Sequence, residues 1–161
     1  MNILGIDPSI TRTAMVAVEF SEEYTNILDY TDMPFDTEAF MEKLDSMHLV
    51  ENIELIVCEQ GFGGRFGGGL SQEYIRGHVD AFCYDRWVKS VGVLPSEWRK
   101  MVYGKGSMRT AEAKQRGIDT AKLYGLRPST KLGKPRKWST CHDLGEAFRI
   151  AEYGWITRDE R

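Results

Sequence analysis

Two acids in this chain each close a short apolar run: Asp7 after Ile3-Leu4-Gly5-Ile6, and Glu59 after Ile56-Val57-Cys58. Runs this short and apolar suit buried strands. If the two strands are parallel neighbours, about 4.8 Å apart, their carboxylates stand side by side. Open sheets place sites there, beyond the carboxyl ends of the strands. Carboxylates that close repel each other and raise a pKa unless a cation sits between them. A hard divalent ion such as Mg²⁺ suits such a pair. The alternative is that acids following strands are ordinary turn residues. Asp143 and Glu146, three apart, share one face of a helix near its start, where acids also offset the helix macrodipole. Gly145 lies between them. A glycine inside a helix costs about 1 kcal/mol relative to alanine, so close packing of this helix against the sheet is expected.

The elements that must position these acids follow from hydrophobic period and punctuation. Strands are expected at Asn2 to Asp7, Thr13 to Phe20 and Tyr24 to Thr31, joined by short turns as an antiparallel meander. A helix follows over Asp36 to Leu49, where Phe40, Met41, Leu44, Met47 and His48 recur at helical spacing and Asp36 or Thr37 can cap. The strand ending at Glu59 comes next. The run Gly61 to Gly69 reads GFGGRFGGG, six glycines in nine residues, and is expected to be a mobile loop. A helix over Leu70 to Lys89, a strand over Val91 to Leu94, and helices over Ser96 to Tyr103, Arg109 to Tyr124 and Cys141 to Ile156 complete the chain. The basic stretch 126–140 reads as loop. Three strands followed by alternation with helices imply an α/β fold: a mixed five-stranded sheet, three antiparallel strands then two parallel, with helices on both faces. No linker divides the 161 residues, so one domain is expected.

Ile3-Leu4-Gly5-Ile6-Asp7-Pro8-Ser9, Ile56-Val57-Cys58-Glu59-Gln60 and His142-Asp143-Leu144-Gly145-Glu146-Ala147-Phe148-Arg149-Ile150-Ala151 resemble, in order and spacing, the three acidic blocks of the RuvC-type Holliday junction resolvases. These belong to the RNase H-like superfamily. The resemblance runs from Asn2 to about Ala151. It implies that Asp7, Glu59, Asp143 and Glu146 hold two Mg²⁺ ions, with Mn²⁺ able to substitute. It further implies phosphodiester hydrolysis by in-line attack of water, giving 5′-phosphate and 3′-hydroxyl ends in DNA recombination and repair. Two departures stand out. Ser9 replaces a usual glycine, and Glu146 replaces a usual aspartate with a side chain one methylene longer. Against the family, Lys100 (or Arg99) and Lys114 fall near two lysines beside the active site, and an aromatic after the strand-end glutamate stacks on bases. Phe62 and Phe66, with Arg65 between them, stand there. Symmetric cutting of a four-way junction implies a homodimer. The helix from Leu70 to Lys89 is the candidate interface, through Tyr74, Val79, Phe82 and Trp87. The compact size fits a phage or mobile-element version.

The net charge of −3 looks poor for a DNA-binding protein until it is read by position. Residues 1–60 hold two Lys/Arg and thirteen Asp/Glu, a net of −11; residues 61–161 hold nineteen and eleven, a net of +8. Between Pro95 and Thr140, twelve basic residues face three acids. That stretch is expected to bind branched DNA through its phosphates, with a steep salt dependence; the alternative is an ordinary solvated basic face. Lys105, Lys131, Lys134, Arg136 and Lys137 are the further candidates. Trp98 and Trp138, within basic stretches, can stack on bases or pack in the core. His142 can position water or phosphate, or cap its helix.

Other classes remain on the table. A nuclease for RNA–DNA hybrids, or a YqgF-type RNA-processing enzyme, shares the fold. An actin-like ATPase also opens on a strand and an acidic turn but needs a second such domain. A non-catalytic DNA-binding module would tolerate loss of the acids. No run of 18 apolar residues spans a membrane. The N-terminus lacks a signal-peptide pattern. Cys58, Cys83 and Cys141 form no disulfide or zinc spacing. A cytoplasmic setting is expected, or a host cytoplasm for a phage protein.

Overall fold

The structure, a computed structural model, describes residues 1–61, 68–128 and 133–160. The elements are β1 (Asn2–Asp7), β2 (Thr13–Phe20), β3 (Thr25–Met33), α1 (Thr37–Glu51), β4 (Leu55–Glu59), α2 (Gly68–Arg86), β5 (Lys89–Val93), α3 (Pro95–Tyr103), α4 (Thr110–Leu123) and α5 (His142–Ile156). Short 3-10 turns occupy Trp138–Thr140 and Arg158–Glu160. The sheet order is β3-β2-β1-β4-β5. The β1–β2 and β2–β3 pairs are antiparallel, and β1–β4 and β4–β5 are parallel. This is the mixed sheet expected from the sequence, with helices on both faces.

Successive side chains of a strand point to opposite faces, and that parity sorts the core into two. Ile3 of β1, Leu55 and Val57 of β4 and Val93 of β5 pack with Trp98, Ala121, Leu144, Ala147 and Phe148 of α3, α4 and α5. Leu4 and Ile6, with Ile56 and Cys58, pack instead with Phe40 and Leu44 of α1 and Ile75 and Val79 of α2. Asp7 and Glu59 share the parity of Ile3 and Val57, so both carboxylates rise on the α5 side.

Local chemistry explains the element ends. The Asp36 carboxylate accepts from Ala39 N at 3.0 Å and starts α1; Asn52, left-handed at φ 49°, ends it. Pro95 opens α3, where it has no N–H to lose, and Leu94 N donates to the Glu97 carboxylate at 2.9 Å. Several expectations shift. β3 runs on to Met33, because β2 keeps pairing back to Thr13. β5 begins at Lys89 rather than Val91, held in register against Leu55. That forces α2 to stop at Arg86, and Trp87 turns left-handed at φ 58°. α2 also starts inside the glycine run, at Gly68, so the expected loop does not reach Gly69. Val79 and Phe82, expected at a dimer interface, belong instead to the core under α2. Tyr74 and Trp87 are exposed. The three cysteines are free and buried. No helix among the described residues is long and apolar enough to cross a membrane.

Candidate active site

The register that pairs Ile6 with Cys58 brings Asp7 and Glu59 level at the carboxyl ends of β1 and β4. The turn after Asp7 is clamped locally. The buried Thr13 hydroxyl donates to Ser9 O at 2.8 Å and accepts from Ser9 N at 3.2 Å. Glu59 is buried, and its backbone lies against Val93 of β5.

α5 delivers the other two acids, Asp143 from its first turn and Glu146 just beyond it. Its approach is set by glycines. A Cβ on Gly5 would collide with the Ala147 carbonyl, so α5 rests on the backbone of β1. A Cβ on Gly145 would collide with the carbonyl of Gly117, and one on Gly117 with the carbonyl of His142. Gly145 therefore serves the crossing of α5 with α4, not the expected packing of α5 on the sheet. Only hydrogen fits between these backbones, and the crossing lies one residue from Glu146.

The result is a cluster. Carboxylate oxygens of Asp7, Glu59 and Glu146 lie within 4.8 Å of one another. Asp143 lines the same cleft of about 270 Å³, with Asp7, Arg99, Met108, Thr110, Lys114, His142 and Glu146. Its Oδ1 is 3.0 Å from His142 Nε2. Burial, with the charges of Glu59, Glu146 and Asp143, pushes the Asp7 carboxyl well above the usual range, against the pull of Arg99. Burial pushes Glu59 up to about 7, although a hydrogen bond from Trp98 works the other way. Glu146 is also raised, first by burial, while Arg99 opposes. The bond to Asp143 raises His142.

Two residues of α3 complete the cluster. Trp98 is fully buried, and its indole Nε1 donates to Glu59 Oε2 at 2.7 Å. Arg99 donates to Glu146 Oε2 at 3.3 Å, and its guanidinium lies 5.0 Å from the centre of the Trp98 ring. Arg99 and Lys114 together do not balance four acids. An all-oxygen donor set with excess negative charge fits a hard divalent ion.

No protein-family model and no curated protein matches the sequence. Solved structures do match. Thermus thermophilus RuvC aligns over 99% of this chain and 96% of its own, with a TM-score of 0.70 at 17% identity. A structure of T. thermophilus RuvC in complex with Holliday junction substrate gives a TM-score of 0.69 at 15% identity, over 99% and 96%. The fowlpox virus Holliday junction resolvase gives 0.58 at 14% identity, over the full length of both chains. The fold is that of RuvC.

On this RuvC fold the basic candidates separate. Lys114 lines the acidic cleft. Of the alternatives at the preceding helix, Arg99 reaches the acids, whereas Lys100 borders another cleft with Glu97, Met101 and Tyr153. Lys105 is exposed and lies 3.6 Å from Glu112. Arg136, expected to face phosphates, is instead committed internally. It pairs with the nearly buried Asp32, which also takes Arg12 at 2.8 Å, and it donates to Thr140 O at 2.6 Å. Lys134 and Lys137 are exposed. Phe62, Arg65, Phe66 and Lys131 lie outside the described residues. Trp138 packs against the core beneath the Arg127 guanidinium, 4.9 Å away. Trp98 packs in the core and so is not available to stack on bases. Its inward position is set by how α3 docks on the sheet, for which the sequence carries no local signal.

Proposed function

We propose that this chain is a divalent-metal-dependent endonuclease that cuts branched DNA, four-way junctions foremost. The observation that carries the reading is the convergence of Asp7, Glu59 and Glu146 at the carboxyl ends of β1 and β4, on a fold shared with RuvC. Asp7, Glu59, Glu146 and Asp143 would hold two Mg²⁺ ions, for which Mn²⁺ can substitute. When bound, such a pair supplies activation of an attacking water and stabilisation of the departing 3′ oxygen. The chain's own residues do the rest. The four acids fix the reacting centre against the sheet. Lys114 and Arg99, on the cleft wall, neutralise the entering phosphate. His142, held by Asp143, is placed to orient a water or a phosphate oxygen. The exposed Lys134, Lys137 and Lys105 extend the attraction to flanking phosphates, and binding weakens steeply with salt. Cutting both strands of a junction symmetrically calls for two copies of this site and hence a homodimer, for which the exposed Tyr74 and Trp87 on and after α2 offer contact area.

The test is cleavage of labelled four-way junctions, forks, flaps and RNA–DNA hybrids, with and without Mg²⁺. Asp7→Asn should keep junction binding and abolish cleavage. Cleavage by Asp7→Asn at the wild-type rate would overturn the reading. A preference for hybrids would redirect it to another RNase H-like nuclease.

A further inference from the structure

The four acids account for a metal site, but Trp98 has no part in that account. Its indole is fully buried and crosses 39 residues of sequence to reach one oxygen of Glu59. A tryptophan in a core usually needs some acceptor for its N–H, and a backbone carbonyl would serve. Here the acceptor is a carboxylate at the centre of the site.

We propose that Trp98 is a positioning residue that aims Glu59 at the metals. This rests on the endonuclease reading above. A carboxylate has two oxygens and about four acceptor directions. The Trp98 N–H takes one direction at Oε2, which leaves Oε1 to face the cluster. The ring is held in turn. Tyr103 packs against it edge-on, with ring centres 5.7 Å apart, and Arg99 lies over its face. Glu59 thus has one oxygen held by a buried side chain that is itself packed on two sides.

The donor's neutrality matters as much as its place. Arg99 on Glu146 is a cation and competes with a metal ion for the same carboxylate. Trp98 orients Glu59 and leaves its full charge to the ion. The two carboxylates are therefore held in different ways by consecutive residues of one helix: Glu146 by a partner that must yield, Glu59 by one that stays. Outer-shell hydrogen bonds to metal-ligating groups are worth about 10–100-fold in metal affinity.

The experiment compares Mn²⁺ affinity, read by titration calorimetry and by the spin resonance of free Mn²⁺, in three proteins. Wild type is the reference. Trp98→Phe removes the N–H and part of the ring. In the third, Trp98 is replaced by 3-benzothienylalanine, which exchanges the N–H for sulfur at nearly the same volume. Both variants should bind Mn²⁺ about 10-fold more weakly, and the benzothienyl protein should melt in EDTA within a few degrees of wild type. Wild-type Mn²⁺ affinity in the folded benzothienyl protein overturns the inference, whatever Trp98→Phe does. Asp7→Asn run in parallel separates the two ideas. Loss of Mn²⁺ in Asp7→Asn with full binding in the benzothienyl protein leaves the metal site standing and removes only Trp98. A wild type that takes up no Mn²⁺ removes both.

Discussion

The α1–α2 face and the α3–α5 face are lined by alternate residues of the same strands, yet they are held together differently. On the first, Leu4, Ile6, Ile56 and Cys58 meet Phe40, Leu44, Ile75 and Val79, and shape complementarity of apolar side chains does the work. On the second, the row that begins at Ile3 and Val57 ends at Asp7 and Glu59. The helices there approach through glycines until backbones touch. Both faces bury apolar side chains, but only the second also holds several acids in a raised-pKa cluster. The prediction is that the two faces can be perturbed separately.

The largest effect belongs to the face without the acids. Phe40→Ala should cost about 3–5 kcal/mol by denaturant titration, from lost transfer energy and the cavity left behind. Mn²⁺ affinity of the folded variant should stay at the wild-type value. A parallel loss of Mn²⁺ affinity would show that the faces are coupled.

Next in size is the pH response of the acidic face. Glu59 sits at about 7 against an ordinary 4.5, and Asp7, Glu146 and His142 are raised too. Each binds its proton more tightly folded than unfolded. The associated stability is complete below the unfolded value and is lost as pH rises through the folded one. In EDTA, stability should therefore fall between about pH 5 and pH 8. The fall is on the order of 2–3 kcal/mol for Glu59 alone. Mn²⁺ should flatten it, because the ion offsets the repulsion. A flat profile in EDTA would contradict the charge crowding.

Gly145→Ala should cost about 1–3 kcal/mol, as overpacking does. Unlike Phe40→Ala, it should also weaken Mn²⁺ binding, since Glu146 is the neighbouring residue. Unchanged Mn²⁺ affinity would mean that the α4–α5 crossing does not set the site. Smallest is a contrast within the basic set. Lys114→Ala should reduce the slope of log affinity against log salt for junction binding by roughly 1. Lys100→Ala, at a separate cleft, should leave it within error. Equal slopes for the two would break the assignment of Lys114 to the phosphate path.

The strands and the helices were legible because period and punctuation are local, whereas Asp143 and Glu146 stood out from ordinary helix-start acids only through the family resemblance. Asp7 and Glu59 each end an apolar run, and strand parity then puts them on one face. What was not legible depends on which surfaces meet. Gly145 announced a close contact, but nothing in the sequence says that the other party is Gly117 rather than the sheet. Val79 and Phe82 looked surplus to one helix face, yet α1 and α2 share a core that uses both. Arg136 reads as one more positive charge until the fold sets it beside Asp32, 104 residues away. Trp98 and Lys100 sit two apart on α3, and only the docking of that helix separates an inward donor from an outward charge.

The contact between Gly117 and Gly145 has a consequence for manufacturing tolerance. The gap between α4, which carries Lys114, and α5, which carries Asp143 and Glu146, is set where two backbones touch, by bond lengths and van der Waals radii. Side-chain packing elsewhere can drift through many substitutions, each shifting neighbours by a few tenths of an ångström, without that error accumulating in the jaw. Two hydrogen atoms act as its shim, and changing either one changes the gauge.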